Sequence, residues 1–206
     1  MRARGSIVPA VAAAVALAIP AAAGAGVDEL PPPVAGKTVN LTVKAGVVRF
    51  KLPGSTSFVT LTDPQQVPLG TIIDTTHGRV TLTSAADTAG ATQHAWFYRG
   101  IFAVAQTTGA KPITSLALAG PKPSCGAPAA AAKKTPKTRR LWGEGSGSFR
   151  TRGQFSAATV RGTRWAVIDE CRGTLTIVTS GVVAVRDFRR HKTVLVRAGH
   201  RYLART

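Results

Sequence analysis

Residues 149–204 read FRTRGQFSAATVRGTRWAVIDECRGTLTIVTSGVVAVRDFRRHKTVLVRAGHRYLA, and apolar and polar side chains alternate along most of this stretch. A period of two is typical of strands that bury one face. Steps that contain glycine separate the alternating segments, as expected for tight turns. The stretch therefore predicts a series of short strands joined by turns.

The same alternation occurs in the first half of the chain. Residues 39–43 alternate valine or leucine with polar side chains, and residues 113–118 form a further predicted strand. Two short strands flank the pair His77 and Gly78, which predicts a tight hairpin there. Because no segment has a sustained helical period with capping residues, we predict an all-β fold with very low helix content.

The positions of the glycines mark a repeated unit. Each copy is a strand that starts at a glycine, a polar turn, and a return strand closed by a second glycine. The copies start at Gly46, Gly100 and Gly181, and the third closes at Gly199, so these glycines are assigned structural roles. One hairpin cannot bury its apolar face alone, and we expect the copies to stack into a common sheet system. A sandwich and a short β-roll both fit this pattern.

Three steps in the C-terminal stretch resemble the FecR-type domain, an all-β extracytoplasmic module of bacterial transmembrane signalling. They are Gly162-Thr163 before a strand, Gly-Val-Val-Ala-Val at 181–185, and Val-Arg-Ala-Gly at 196–199. Residues 39–85 look like a weaker, related half. The resemblance implies a FecR-like fold in which these glycines are structural, and it carries over no catalytic residue.

The N-terminus has the layout of a secretory signal peptide. Arg2 and Arg4 form a positive region, an apolar stretch follows at 7–19, and residues 21–23 are alanines that suit a cleavage site. The apolar stretch is shorter than the about 20 residues of a membrane helix. We expect export to the extracellular space or cell envelope and a soluble mature protein, with a retained N-terminal anchor as the alternative.

The chain of 206 residues divides into five predicted segments, whose boundaries follow shifts in composition and in the strand pattern. The segments are a signal peptide (1–25), a Pro-rich linker (26–37), an N-terminal β lobe (38–120), a basic loop rich in Ala, Pro and Gly (121–148), and a C-terminal FecR-like β lobe (149–206).

Cys125 and Cys171 are the two cysteines. In an exported chain an even pair most simply forms a disulfide. Its loop of roughly 45 residues corresponds to about 4 kcal/mol in the chain-entropy model. A free buried pair and half of a metal site are the alternatives, although no nearby histidine or carboxylate has the spacing of a metal ligand.

The net charge of +18 predicts affinity for polyanions. Removal of the signal peptide with Arg2 and Arg4 lowers this charge to about +16. A candidate polyanion-binding patch lies in the predicted loop and comprises Lys133, Lys134, Lys137, Arg139 and Arg140. A simply solvated loop, and an arginine surplus that reflects genome composition, are the alternatives.

The chain lacks the sequence motifs of hydrolytic and redox enzymes. None of its four histidines has the i, i+4 spacing of a helical zinc site. The adjacent acidic pairs, 28–29 and 169–170, lie in the N-terminal arm and a predicted hairpin turn. Residues 143–147 (GEGSG) precede no predicted helix that would bind a phosphate, and we predict a flexible turn there. The sequence thus predicts a non-enzymatic protein without cofactor, metal or small-molecule substrate.

Aromatic and basic residues are interleaved at two places, an arrangement that can serve nucleic-acid stacking. Trp96 and Tyr98 lie beside Arg99, and Trp165 lies beside Arg164. Alternation places Trp165 on the apolar face of its strand and Arg164 on the other, so Trp165 is predicted to belong to the core. Nucleic acid is therefore the less favoured polyanion.

These features together favour a binding or scaffolding module of the bacterial cell envelope, whose partner is an envelope protein or an anionic wall polymer. An anionic membrane surface is a further candidate partner. The alternative function is an extracytoplasmic signalling component that docks a membrane receptor or a sigma/anti-sigma system. The two functions differ in salt dependence, because polyanion binding weakens steeply as salt rises.

Overall fold

A computed structural model describes residues 30–123, 125, 138–160 and 162–206. These residues form fifteen strands and no helix, and hence no helix that could cross a membrane. The predicted signal peptide lies outside them. The strands are β1 (Thr38–Lys51), β2 (Val59–Thr60), β3 (Gln65–Pro68), β4 (Ile72–Ala85), β5 (Thr92–Tyr98), β6 (Ile101–Gln106), β7 (Thr114–Leu118), β8 (Arg139–Gly145), β9 (Phe149–Arg152), β10 (Ser156–Val160), β11 (Thr163–Glu170), β12 (Gly173–Ser180), β13 (Val182–Asp187), β14 (Lys192–Arg197) and β15 (Arg201–Arg205).

The strands form one continuous sheet in the order β14-β13-β10-β9-β7-β6-β4-β5-β8-β11-β12-β15, and β1 joins it by pairing with β4. The two ends of this order approach each other, because the turn 198–200 carries the chain from β14 to β15. At this turn the Gly199 amide donates to the Val178 carbonyl (2.9 Å) and the Val178 amide donates to the His200 carbonyl (3.1 Å). The all-β prediction is confirmed, and the sheet wraps round one interior.

Four aromatic rings lie at the centre of that interior. Phe97 contacts Phe102, Phe149 and Trp165, with ring centroids 5.5, 5.7 and 6.0 Å away. All four are fully buried, and the Trp165 indole N–H donates to the Thr151 hydroxyl (3.0 Å). Burial of each such ring stabilises the fold by about 2–3 kcal/mol. The prediction that Trp165 is a core residue is confirmed, and one core includes residues of both predicted lobes.

The predicted hairpin at His77 and Gly78 is wrong. Both residues lie inside β4, which continues through them without reversal. Gly78 pairs with Gly46 of β1, and a β-carbon on either glycine would overlap the backbone of the opposite strand. The glycines therefore permit a close approach of two long strands, and the chain does not turn back. Gly46 (φ 67°) accordingly lies within β1 and does not start a strand as the repeat predicts.

The other glycines of the predicted repeat and the FecR-like steps lie next to strands. Gly100 and Gly181 immediately precede β6 and β13, as the repeat predicts. Gly181 has φ 74°, in the left-handed region that favours glycine, and a β-carbon there would press against Thr163. Gly162 precedes β11, and Gly199 lies in the turn between β14 and β15.

Part of the predicted basic loop 121–148 is a strand, which corrects that boundary. β8 pairs with β5 on one side and with β11 on the other. Gly143 faces the interior, where a β-carbon would overlap the indole of Trp165. The sequence predicts a flexible turn at Gly143, but this glycine instead lies in a strand and makes room for Trp165, the largest buried side chain. Three residues of the predicted patch, Lys133, Lys134 and Lys137, lie outside the described residues.

Candidate anion-binding cleft

The predicted disulfide is present. Cys125 and Cys171 are bonded, with their α-carbons 5.5 Å apart. Cys171 lies in the turn between β11 and β12, two residues after Asp169. The bond therefore ties the segment after β7 to the far end of the sheet, close to a buried ion pair.

That ion pair contains Arg139, one of the residues of the predicted polyanion-binding patch. Its Nη2 lies 2.6 Å from Oδ2 of Asp169, which is only 1% exposed. Asp169 Oδ1 also accepts hydrogen bonds from the Thr174 hydroxyl (2.6 Å) and the Gln154 amide (2.9 Å). Because its charge is neutralised inside the protein, Arg139 supports the fold and is not placed to bind a polyanion. Arg140 is exposed and donates to the Thr138 hydroxyl (2.9 Å).

A different group of arginines converges on the outer surface of β9, β10 and β13. Arg150 and Arg152 come from β9, and Arg186 comes from β13. They line a shallow cleft of about 430 Å³, which we call the arginine cleft. Its other lining residues are Ala157, Thr159, Ala184, Phe188 and Thr193.

Strand register explains why these side chains surround an open space. Arg152 and Arg186 lie on either side of Ala157 of β10, and their strand partners point to the same face. In the neighbouring row, Arg150 pairs with Thr159, which pairs with Ala184. Directly paired side chains are about 5 Å apart at the β-carbon. The small residues between the arginines therefore form a floor over which the guanidinium groups extend.

Each of the three arginines is held by a neutral group. Arg150 Nε donates to the Thr159 hydroxyl (3.2 Å), and Arg186 Nη1 donates to the His191 carbonyl (2.6 Å). The Arg152 guanidinium lies 5.3 Å from the ring centroid of Phe188, a cation–π contact. In the part of the chain that the structure describes, none of the three forms an ion pair, so their positive charge is uncompensated.

The turn between β13 and β14 adds further positive charge at one end of the cleft. Arg189 and Arg190 are exposed there, while Asp187 points inward and is 1% exposed. Asp187 Oδ1 accepts from the amides of Arg189 (3.0 Å) and Arg190 (2.9 Å), and Oδ2 accepts from the Tyr202 hydroxyl (2.8 Å). The carboxylate nearest in sequence to the cleft therefore anchors the turn, and among the described residues it forms no direct ion pair with the cleft arginines.

The pKa of Asp187 is consistent with this anchoring role. Burial raises the pKa of its carboxyl, but hydrogen bonds from the Arg190 amide, the Tyr202 hydroxyl and the Arg189 amide outweigh burial and leave the pKa below its usual value. For Tyr202 the shift has the opposite direction: burial and the hydrogen bond to Asp187 raise the pKa of the phenol. The Asp187 carboxyl is therefore ionised at neutral pH.

The chemistry available in the cleft is anion recognition. Guanidinium groups bind phosphate and carboxylate oxygens through paired N–H donors and stay charged at all relevant pH values. Among the described residues, no group of three or more His, Cys, Asp or Glu side chains is placed to hold a metal ion.

Sequence reasoning missed this cluster, although a local signal was present. Arg150 and Arg152 are separated by one residue in a strand, so they lie on the same face. The third member, Arg186, becomes their neighbour only because β13 pairs with β10, far away in sequence. No local pattern predicts that pairing.

No family model, curated protein or solved structure matches this chain.

Proposed function

We propose that this chain is an exported, non-enzymatic, FecR-like binding module of the bacterial cell envelope, and that it binds an anionic wall polymer along the arginine cleft. The observation that carries the proposal is the convergence of Arg150, Arg152 and Arg186 on one surface, where none of them has a carboxylate partner among the described residues. Phosphate or carboxylate groups repeated along a polymer would meet several of these cations at once.

Charge and shape support a polymer as the ligand. The chain carries a net charge of +18, which attracts polyanions over a long range. The cleft is shallow and floored by small side chains, and Arg189 and Arg190 continue the positive surface at its end. A repeating anion can lie across such a surface, and many weak contacts then add up to useful affinity.

Three further features support export. The disulfide between Cys125 and Cys171 is of the kind that persists in oxidising compartments. The sequence of residues 1–25 has the layout of a signal peptide. The FecR-like steps in the C-terminal lobe add an extracytoplasmic resemblance.

A second candidate function is docking of a membrane receptor as part of a signalling system. Its supporting observation is the exposure of two apolar residues on β13 and β14, Leu195 (66%) and Val182 (41%). Leu195 pairs with Ala184 of the cleft floor. Exposed aliphatic side chains beside arginines suit a protein partner whose binding tolerates salt.

The test compares two triple variants of the full mature chain. In the first, R150Q/R152Q/R186Q removes the cleft cations. In the second, R99Q/R201Q/R205Q removes three exposed arginines elsewhere, as a control matched in charge. Binding to poly(glycerol phosphate) is measured by titration calorimetry at several salt concentrations. We expect the first variant to lose most of its affinity and its salt slope to fall by about 2–3, because three phosphate contacts are lost.

Equal losses in the two variants would mean that general charge and not the cleft binds the polymer, and the proposal would be rejected. Retention of polymer binding by the cleft variant would reject it as well. Capture of one discrete envelope protein at high salt, abolished by Leu195→Ser, would replace polymer binding with the receptor-docking function.

A further inference from the structure

A second outer surface, on β5, β8 and β11, combines aromatic and polar side chains. Trp96 pairs with Glu144, and Glu144 pairs with Arg164. In the next row, Tyr98 pairs with Trp142. We call these five residues the aromatic face. They point away from the core, because the residues between them on each strand, such as Phe97 and Trp165, point inward.

The aromatic rings of this face are held in fixed orientations. Tyr98 and Trp142 stack with an interplanar angle of 17° and ring centroids 6.2 Å apart. The Arg79 guanidinium lies 4.3 Å from the Tyr98 centroid, and Lys44 Nζ lies 4.3 Å from the Trp96 centroid. Among the described residues no cation lies over the Trp142 indole. Trp142 therefore offers a flat apolar surface two residues from Glu144 on the same face.

A polar cleft of about 450 Å³ shares Glu144 and Arg164 with the aromatic face. Its lining includes Glu144, Thr163, Arg164, Thr179 and Ser180, whose side chains all carry groups that can form hydrogen bonds. Arg164 Nη2 contacts Glu144 Oε1 (2.8 Å), which fixes the carboxylate in the cleft.

One oxygen at this cleft lacks a partner among the described residues. Glu144 Oε2 is buried and accepts no hydrogen bond from them. Buried polar atoms are nearly always satisfied in folded proteins, so unpaired ones beside a cleft indicate where a ligand places its own polar groups. A ligand here has to supply hydroxyl or N–H donors.

We propose that the aromatic face binds a neutral glycan. One face of a pyranose ring presents C–H groups that pack on an indole, and its hydroxyls donate and accept hydrogen bonds at the rim. Trp142 would carry the ring, Glu144 Oε2 would accept from a sugar hydroxyl, and Arg164 would donate to a sugar oxygen. The unpaired Glu144 Oε2 requires a ligand group that donates a hydrogen bond. A sugar hydroxyl supplies one and the phosphate backbone of a nucleic acid does not, so this acceptor favours a sugar.

This site is separate from the arginine cleft in residues, strands and chemistry. The arginine cleft uses unpaired cations on β9 and β13, whereas here the arginine is paired with a carboxylate. Binding of a neutral sugar is therefore independent of salt, and the cleft variant R150Q/R152Q/R186Q retains it. The two proposals can succeed or fail independently.

The experiment titrates the mature chain with a panel of neutral hexasaccharides, namely β-glucan, mannan, galactan and chitin fragments, by calorimetry and tryptophan fluorescence. Variants W142A and E144Q test the platform and the acceptor. H94A, on the same face of β5, is the matched control. Circular dichroism and the thermal midpoint establish that each variant is folded.

We expect one class of hexasaccharide to bind at both low and high salt. W142A should weaken it by at least about tenfold, as for an aromatic residue at the centre of a binding site. E144Q should weaken it less, and H94A should leave it unchanged. The proposal is overturned if no hexasaccharide binds, if folded W142A and E144Q bind like the unmodified chain, or if a single-stranded oligonucleotide and no sugar binds through Trp142.

Discussion

The arginine cleft and the aromatic face lie on the outer surface of one sheet, yet they set arginine in opposite surroundings. Arg150, Arg152 and Arg186 meet only neutral partners. Arg164 on the aromatic face is paired with Glu144 at 2.8 Å. The chain has only 9 acidic residues against 27 basic ones, so the placement of each carboxylate determines which cations remain available to a ligand.

The same distinction separates surface cations from those that support the fold. Asp169 and Asp187 are each 1% exposed, and they hold Arg139 and the β13–β14 turn respectively. A buried carboxylate fixes a structural contact, whereas a cation without a carboxylate is free to bind. Substitutions on the two sides of this division should have very different effects on stability.

Removal of the disulfide should have the largest effect. C125S/C171S releases a link between residues 46 apart in sequence, and it frees the turn that follows Asp169. The chain-entropy model predicts a loss of about 4 kcal/mol in the free energy of unfolding. Urea unfolding of the oxidised chain and of this variant measures the loss. An unchanged midpoint would mean that the bond adds nothing to the support of this end of the sheet.

Arg139→Ala should destabilise the fold almost as much. It leaves Asp169 buried without its cation, and we expect a loss of about 3 kcal/mol, the lower end of the range for a buried ion pair, because Arg139 is itself 13% exposed. Arg140→Ala, one residue away and exposed, should change stability by less than about 0.5 kcal/mol. Urea unfolding of both variants makes the comparison. Equal effects would contradict the assignment of Arg139 to the fold.

Asp187→Asn should have an intermediate effect. The amide cannot accept the same charge-assisted hydrogen bonds from Tyr202 and the turn amides, and we expect a loss on the order of 2 kcal/mol. Hydrogen exchange at Arg189 and Arg190 should also accelerate, because these amides lose their acceptor. Unchanged protection there would show that the turn does not depend on this carboxylate.

The dependence on pH should follow from the same residue. The folded-state pKa of Asp187 lies below its usual value of 3.8, so its contribution is complete above that pH and is lost as the pH falls through the folded-state pKa. Asp74 behaves in the same way. Burial raises the pKa of its carboxyl, but the hydrogen bonds from Thr76 and Arg49 outweigh burial, so the pKa lies below its usual value. Unfolding midpoints in urea should therefore fall on acidification, and by less in Asp187→Asn.

The smallest effect on stability is expected for the cleft itself. R150Q/R152Q/R186Q breaks no ion pair, and each change at such a surface site alters stability by about 0.5 kcal/mol or less. The thermal midpoint should therefore stay close to that of the unmodified chain while polyanion affinity falls. A large drop in the midpoint would show that these three arginines support the fold, as Arg139 does.

Local patterns predicted most strands and failed where distant strands meet. The alternation at 39–43 and 113–118 identified β1 and β7. The pair His77 and Gly78 was misassigned, because a glycine at a close crossing has the same local pattern as a glycine in a turn. The same ambiguity affected Gly143, whose missing side chain is required by Trp165.

The all-β class and the cysteine pairing follow from local sequence alone, because a period of two and an even pair of cysteines depend on little else. Which arginines are neutralised and which are available depends on how distant strands pair in the folded protein. Arg139 and Arg150 are both basic residues near Gly-rich segments, and nothing local distinguishes them. Their surroundings are set by strands from distant parts of the chain: β11 brings Asp169 to Arg139, while β10 and β13 bring only small or basic residues to Arg150.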